Sequence, residues 1–367
     1  MTWLPESLRH LRRDAFFLVL LGVAIAFAVA MPSRVSSWPA LVDWPTIAAL
    51  TGLLILTKAV EQSGALAHAG QWLIDHTATR RLAALGLVAA TALLSMLLTN
   101  DVSLFVMVPL TLSMCRIARM PATRLVVFEA LAVNAGSMLT PIGNPQNLFL
   151  WQQWGVSFGG FVWAMLPVVA IALVLLLALT ACAFPSTPLQ VHEKAEGGLD
   201  KRLLIIAAVL YVPFLFLADA HHVAWGLAGV VLVFALVRRT ILAAIDWGLL
   251  LTFVLMFIDL RMLAGLDIVK GWLGALDLHQ PLHLFATGAL ASQAVSNVPA
   301  AILLAEYSHD WRTLAWGVNV GGFGFILGSL ANLIALRLLG EKKAWGTFHL
   351  WSVPFFLVMA FATWLLL

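Results

Sequence analysis

Charge is scarce in this sequence. Asp, Glu, Lys and Arg make up 11% of 367 residues, against roughly 25% in a soluble domain. So few charges cannot cover a water-facing surface, which excludes an ordinary soluble protein. Cysteine is nearly absent: Cys115 and Cys182 lie far apart, match no metal spacing and build no disulfide framework. No Gly-Lys dipeptide occurs, so there is no phosphate-cradling Walker A loop and no ATP-driven pump is expected. No Gly-Asp dipeptide occurs either, which removes the aspartyl intramembrane proteases. Gly155-Val156-Ser157-Phe158-Gly159 has the spacing of a serine nucleophile elbow. No strand precedes it and no histidine lies mid-span as its base, so an enzyme is not expected.

Apolar residues take the place of the missing charge. They form 62% of the chain, mean hydropathy is +0.97, and fifteen Trp suit the membrane–water boundary. The net charge of +3 comes from basic residues in short loops between apolar runs. That placement sets membrane topology and calls for no nucleic-acid partner. Met1 to Asp14 carries Arg9, Arg12 and Arg13 and leads into an apolar stretch with no Ala-x-Ala cleavage site, so a retained first span is expected.

A membrane helix needs roughly 20 mostly apolar residues. Spans are expected near 15–32, 45–63, 125–152, 158–184, 203–219, 222–237, 247–264, 313–338 and 347–366. Two further apolar stretches, 82–115 and 282–307, are each interrupted by polar residues. With the N-terminus cytoplasmic, seventeen of the 21 Lys and Arg fall inside and four (Arg34, Arg261, Lys270 and Arg312) fall outside. Arg80-Arg81 precede the first interrupted stretch, and Arg116, Arg119 and Arg124 follow it. A single crossing would put one cluster outside, so a re-entrant hairpin opening inward is expected. The second stretch is flanked by loops poor in Lys and Arg and should enter from outside. The polar segment Phe184 to Arg202 separates two halves.

The halves resemble one another. Asn134 to Asn147 reads NAGSMLTPIGNPQN and Asn319 to Asn332 reads NVGGFGFILGSLAN. At an offset of 185 both terminal Asn coincide, as do Gly136 with Gly321 and Gly143 with Gly328. Leu98-Thr99-Asn100 echoes Val295-Ser296-Asn297, and at an offset of 203 Asp43-Trp44 echoes Asp246-Trp247, with Lys58 opposite Arg261. The expected fold class is therefore all-α: a polytopic membrane protein with about nine full spans and two re-entrant helical hairpins, in two inverted repeats. The first repeat is 15–184 and holds hairpin 82–115. Residues 185–221 form a polar cytoplasmic linker and connecting helix. The second repeat is 222–367 and holds hairpin 282–307. This is the organisation of a secondary transporter, with discontinuous helices meeting near the bilayer midplane.

Four places invite the breaks. They are Thr99-Asn100-Asp101, with Ser103 one turn on; Thr140 to Pro145; Ser296 to Pro299; and Gly328-Ser329 with Asn332. Pro141 and Pro145 remove backbone donors, and Gly143 permits unusual dihedrals. Freed N–H groups at a helix start attract anions, and freed carbonyls at a helix end attract Na⁺. The amides of Asn100, Asn144, Asn147, Asn297 and Asn332 serve either need. The substrate-binding set is thus Thr99, Asn100, Ser103, Thr140, Gly143, Asn144, Asn147, Ser296, Asn297, Gly328, Ser329 and Asn332. The competing reading is that Gly and Asn only let helices pack closely. Asp101, at a hairpin tip, is the expected ion-coupling residue, with Na⁺ placed near Asn100, Asp101 and Asn144. Its competing role is a helix N-cap. Glu129, Asp259 and Glu306 are further candidates for ion coupling, each near an expected helix end where an interfacial location explains it equally well, and Lys58, Glu61 and Arg261 read as interface anchors. No cofactor is called for beyond a coupling Na⁺ or H⁺.

LLTNDVSLFVMVPL, NAGSMLTPIGNPQNL and SNVPAAILL together resemble the ion transporter superfamily of citrate-transporter-like, arsenite-permease-like (ArsB) and NhaD-type carriers. The likeness covers nearly the whole chain. It implies a scaffold with a mobile transport part, two hairpins, a homodimer and elevator-like alternating access. In the family's dicarboxylate branch, Ser-Asn-Thr tips bind carboxylates and Na⁺. By position those tips are Thr99-Asn100-Asp101 and Ser296-Asn297-Val298, so Asp and Val each stand in place of the last Thr. An ionised Asp101 repels a dicarboxylate unless a proton or cation neutralises it. The expected function is ion-coupled transport of a small anion, a carboxylate or oxyanion, across a bacterial inner membrane. The N-terminus is expected in the cytoplasm and the C-terminus in the periplasm. The alternatives are an Na⁺/H⁺ antiporter within the same fold and a passive channel.

Overall fold

The computed structural model describes residues 15–65, 68, 72, 77–118, 122–188, 198–341 and 343–367. Residues 1–14, the middle of the polar linker, and Arg119, Lys194 and Lys342 lie outside the described residues. The described chain is built from helices: α1 (Ala15–Ala30), α2 (Trp38–Leu41), α3 (Trp44–Gln62), α4 (Arg80–Leu97), α5 (Asn100–Ala118), α6 (Ala122–Ser137), α7 (Pro145–Trp154), α8 (Phe158–Ala183) and α9 (Lys201–Asp219). The second half continues with α10 (Val223–Val237), α11 (Thr240–Ala244), α12 (Trp247–Ala264), α13 (Asp267–Gly274), α14 (Pro281–Val295), α15 (Asn297–Leu304), α16 (Trp311–Val320), α17 (Leu330–Leu339) and α18 (Ala344–Trp364).

Among the described residues, α4, α8, α9, α12 and α18 are long and apolar enough to cross a membrane. A sixth crossing arises if the pair bent by 118° at Met31 is one span. Several expected spans are not single helices. Stretch 125–152 is α6 and α7, and stretch 313–338 is α16 and α17. Pro141, Gly143 and Pro145 stop the first. In the second, Gly321 to Gly328 forms two short 3₁₀ turns instead of α-helix. Stretch 82–115 breaks at Leu98-Thr99, and 282–307 breaks at Ser296. Of these pieces α4 is long enough to cross alone, whereas α6, α7, α14, α15, α16 and α17, at 16 residues or fewer, are not.

Local bonds recur across the halves at the offsets seen in the sequence. Asp43 caps α3 by accepting from the Thr46 N–H at 2.9 Å, and Asp246 caps α12 by accepting from Leu249 N–H at 3.0 Å. The Trp44 indole donates to the Pro39 carbonyl at 2.9 Å, and that of Trp247 to the Leu242 carbonyl at 3.0 Å. Packing also crosses the halves. α10 lies on α3 and α1 on α12; α5 lies on α17 and α15 on α7.

The centre is α6 and α16. Every residue from Leu125 to Ser137 and from Thr313 to Val320 is buried. Gly136 lets α6 touch the backbone of α4, since a Cβ there would sit 2.0 Å from the Ala92 carbonyl oxygen. The outer helices carry large exposed apolar side chains instead, including Trp163, Val212, Phe216, Trp225 and Leu236. Water would not tolerate such a surface; hydrocarbon does.

Candidate functional site

α6 and α16 each end in an unwound segment whose amides lock onto the other half. Asn134 donates to its own Ala130 carbonyl at 3.0 Å and to Asn332 Oδ1 at 2.7 Å. Asn319 does the same, donating to Ala315 at 2.8 Å and to Asn147 Oδ1 at 2.7 Å. Asn332 then donates to the Gly322 carbonyl at 2.9 Å, and Asn147 to that of Ser137 at 3.2 Å. Every one of these pairs is related by the 185-residue offset. Asn144 and Ser329, also 185 apart, hold the N-caps of α7 and α17. The Asn144 amide further donates to Asn319 Oδ1 at 3.0 Å, and Gln146 reaches the same oxygen at 3.2 Å.

The hairpin tips lie against these segments. The Asn100 N–H donates to the Gly143 carbonyl at 2.9 Å, and Thr140 Oγ1 donates to the Met96 carbonyl at 2.6 Å. On the other side Gln293 accepts from the Phe325 N–H at 2.6 Å and donates to the Gly321 carbonyl at 2.5 Å. The Asn297 amide approaches Gly322, 3.3 Å from where its Cβ would be. Gly143 and Gly328 sit tightly, since a Cβ would fall 2.3 Å from the Ser137 oxygen and 2.5 Å from the Gly321 oxygen.

The expected binding residues therefore divide into two groups. Ser103 bonds back to Thr99 at 3.2 Å, and Thr140, Asn144, Asn147 and Asn332 are fully engaged in holding the segments. Ser329 caps, while Gly143 and Gly328 serve close approach. The tip groups are free. Thr99 Oγ1 and Ser296 Oγ are buried without partners, and so is Gln146 Oε1. Among the described residues neither Asn100 Nδ2 nor the Asn297 side chain makes a hydrogen bond, although both residues are buried. Ser296 has φ 74° and ψ 155°, a region that almost only glycine occupies and that marks strained functional backbone.

Asp101 lies in the first turn of α5. Its N–H bonds Asn100 Oδ1 at 2.9 Å, while its carboxylate accepts no hydrogen bond among the described residues and so caps nothing. It lines a crevice of about 400 Å³ with Thr57, Lys58, Glu61, Phe105 and Asp246. Asn144 does not line that crevice. No group of three His, Cys, Asp or Glu able to hold a metal occurs among the described residues.

Two carboxyls lie deeper than the sequence suggests. Glu129 is at the middle of α6, fully buried, and accepts from Thr111 Oγ1 at 2.5 Å. It is not interfacial, because α6 runs on to Ser137. Asp259 is 2% exposed, covered by α1 and the second hairpin. Glu306 pairs with Arg261 at 2.9 Å at the surface, and Lys58 pairs with Glu61 at 2.9 Å. Ser157 caps α8 at an exposed helix start, accepting from Gly160 at 3.1 Å.

Sequence reasoning passed over Asn134, Asn319, Gln146 and Gln293 as site residues. The first two open the repeated fourteen-residue motif, and that was their signal. Nothing local distinguished the two glutamines.

Paired broken helices, tips with free amides and an apolar outer surface define a membrane transport protein. Residues 7–321 match the citrate transporter family, CitMHS, and the chain belongs to that family, as the motif resemblance implied. It is 44% identical to the inner membrane protein YbiR of Escherichia coli over 98% of this chain and 97% of that one. It is 32% identical to the uncharacterized transporter MJ0456 of Methanocaldococcus jannaschii, over 84% of this chain and 85% of the relative. A putative transporter, arsB, of Dictyostelium discoideum shares 25% identity over 37% of the chain. The family and the last two relatives bear transporter names, and the chain is a membrane transporter, not an enzyme.

Proposed function

We propose that this chain is an ion-coupled secondary transporter of a small anion, a carboxylate or oxyanion, working by alternating access. Residues 15–184 and 222–367 are its inverted repeats, joined by 185–221. Hairpin 82–115 opens inward and hairpin 282–307 outward, with the N-terminus cytoplasmic and the C-terminus periplasmic. Constant-offset bonds on the two halves support the repeat, and the arginine and lysine distribution supports its inversion.

The observation that carries the reading is the contrast at the tips. The unwound segments use their amides on each other, while Thr99 and Ser296 keep buried hydroxyls unpaired, and Asn100 Nδ2 and the Asn297 amide make no hydrogen bond among the described residues. Such groups are costly to leave unsatisfied unless a ligand meets them. α5 and α15 both begin at these tips and present helix N-termini, which favour an anion. Asp101 supplies the coupling site, with Na⁺ or H⁺ offsetting its charge beside Asn100. The match to citrate transporters makes citrate the first substrate to try.

The test is uptake of labelled citrate and smaller oxyanions into vesicles holding the purified protein, under an imposed pH or Na⁺ gradient. Saturable, gradient-dependent uptake that loses cation dependence in Asp101→Asn is expected. Glu61 and Asp246 beside Asp101 favour one second reading, an Na⁺/H⁺ antiporter. Cation exchange with no anion movement would select it, and conductance far above carrier turnover would select a channel.

A further inference from the structure

The second half carries a carboxyl of its own, apart from Asp101. Asp259 projects from α12 into a cavity of about 380 Å³ that it shares with Ser296, Pro299 and Ser329. Neither Asp259 oxygen has a hydrogen-bond partner, and the Ser296 hydroxyl, also buried, has none. α1 and α17 supply apolar walls, including Phe16, Leu20 and Leu333. Asp259 is the sole titratable residue among those lining the cavity. Charged groups on the elements packed against α12 are Lys58 and Glu61 of α3, paired together; Glu306 after α15, paired with Arg261 of α12 itself; and Asp267 and Lys270 of α13. Asp246 caps the far end of α12. None of these reaches the cavity.

The two crevices are complementary. At the 203-residue offset Asp259 falls opposite Leu56, and at the 197-residue offset that aligns Asn100 with Asn297, Asp101 falls opposite Val298. The first crevice thus holds a carboxyl on the hairpin itself, Asp101, with Glu61 and Asp246 beside it, and the second holds Asp259 alone, on the adjoining helix.

An ionised carboxylate here would have lost its water and gained no donor in return. A hard metal cation gathers roughly six oxygen ligands, and the side chains here offer one carboxyl and two hydroxyls. A proton needs only one oxygen, and Ser296 Oγ, in the same cavity but not bonded to Asp259, keeps that cavity polar around the acid. We infer that Asp259 takes up and releases a proton through this cavity, so that the second hairpin has its own protonation site. The proton comes from and returns to water entering the crevice; no other bond changes. This site adds to the transport reading, and its test reads the proton itself and not flux.

Infrared difference spectra recorded through a pH titration of the full-length protein in lipid vesicles report protonated carboxyls by their C=O band. Asp259→Asn is expected to lose one such band that Asp101→Asn retains, Asp259→Glu to keep a shifted band, and Ser296→Ala to shift the Asp259 band by removing a hydroxyl from its cavity. Should Asp259→Asn not fold, the Glu and Ser296→Ala variants carry the test. Unchanged spectra in Asp259→Asn, no shift in either other variant, or loss of the band on adding Na⁺ at fixed pH would each overturn the inference. Absent uptake with the band intact would overturn the transport reading alone.

Discussion

Asn134 donates its side-chain amide to the side-chain oxygen of Asn332 at 2.7 Å, across 198 residues of chain. Asn319 and Asn147 repeat the contact at the same length in the opposite sense. All four are buried, so the two bonds clasp the halves where both helices are broken. Truncating Asn134 leaves Asn332 Oδ1 without that donor, a loss of about 1–3 kcal/mol for a buried polar group. Asn134→Ala and Asn319→Ala should lower the thermal midpoint in detergent by similar amounts. The Asn134/Asn332 double variant should show clear coupling in a double-mutant cycle. Additive effects would mean that the clasp is not an energetic unit.

Gly136 and Gly159 make a matched pair for close approach. A methyl group on Gly136 would meet the Ala92 carbonyl oxygen at 2.0 Å, whereas one on Gly159 meets nothing within 4 Å. Backbone cannot yield as a flexible side chain does, so Gly136→Ala should cost roughly 2 kcal/mol or more. Gly159→Ala in a helix should be neutral or stabilising by about 0.5–1 kcal/mol. Equal unfolding midpoints for the two would show that α4 and α6 are not in backbone contact.

The backbone breaks were legible because proline and glycine act locally. Pro141, Gly143 and Pro145 stop a helix whatever surrounds them, and the same motif shifted by 185 residues pointed to the second break. What each amide bonds to was not legible. Asn147 and Asn297 look alike in sequence, yet one is bonded across the halves and the other is free, because only the folded arrangement sets α16 against α7. Glu129 and Asp259 were misplaced for a related reason. Hydropathy locates a helix along the chain but does not show which of its faces another helix covers.

Glu129 tests the reading of buried carboxyls. Its Oε1 accepts from Thr111 at 2.5 Å and its Oε2 has no partner. Glu129→Gln keeps an acceptor for Thr111, while Thr111→Val removes the donor and leaves the acid more isolated. Thr111→Val should therefore be the more damaging change, by about 1–3 kcal/mol in thermal or chemical unfolding. The reverse order would show that Glu129 needs its charge.

Arg261 is more than a boundary residue. It bonds Glu306 at 2.9 Å, the Leu41 carbonyl at 2.7 Å and Gln153 at 3.2 Å, tying α12 to three other segments. A lysine cannot reproduce that fork. Arg261→Lys should cost about 1–3 kcal/mol in the unfolding free energy. Glu306→Gln, at the exposed end of the pair, should cost less than about 1 kcal/mol. If Glu306→Gln matches Arg261→Lys, the ion pair and not the carbonyl contact holds these segments.

The sharpest separation is between tip and clasp. Asn297 makes no side-chain hydrogen bond among the described residues, whereas Asn147 donates to three carbonyls and accepts from Asn319. Removing an amide that waits for a ligand should spare the fold, and removing one already bonded four times should not. Asn297→Ala, and Asn100→Ala with it, should therefore lower gradient-driven uptake on the order of tenfold, the worth of one hydrogen bond to a charged group. Their unfolding midpoints should stay close to wild type. Asn147→Ala should reduce the yield of folded protein before transport can be read, because three backbone carbonyls in an apolar interior lose their donor together. Measuring uptake per folded molecule separates the two. If Asn297→Ala transports at the normal rate while Asn147→Ala folds well but is inactive, the ligand sits on the clasp, and the tip amides are idle.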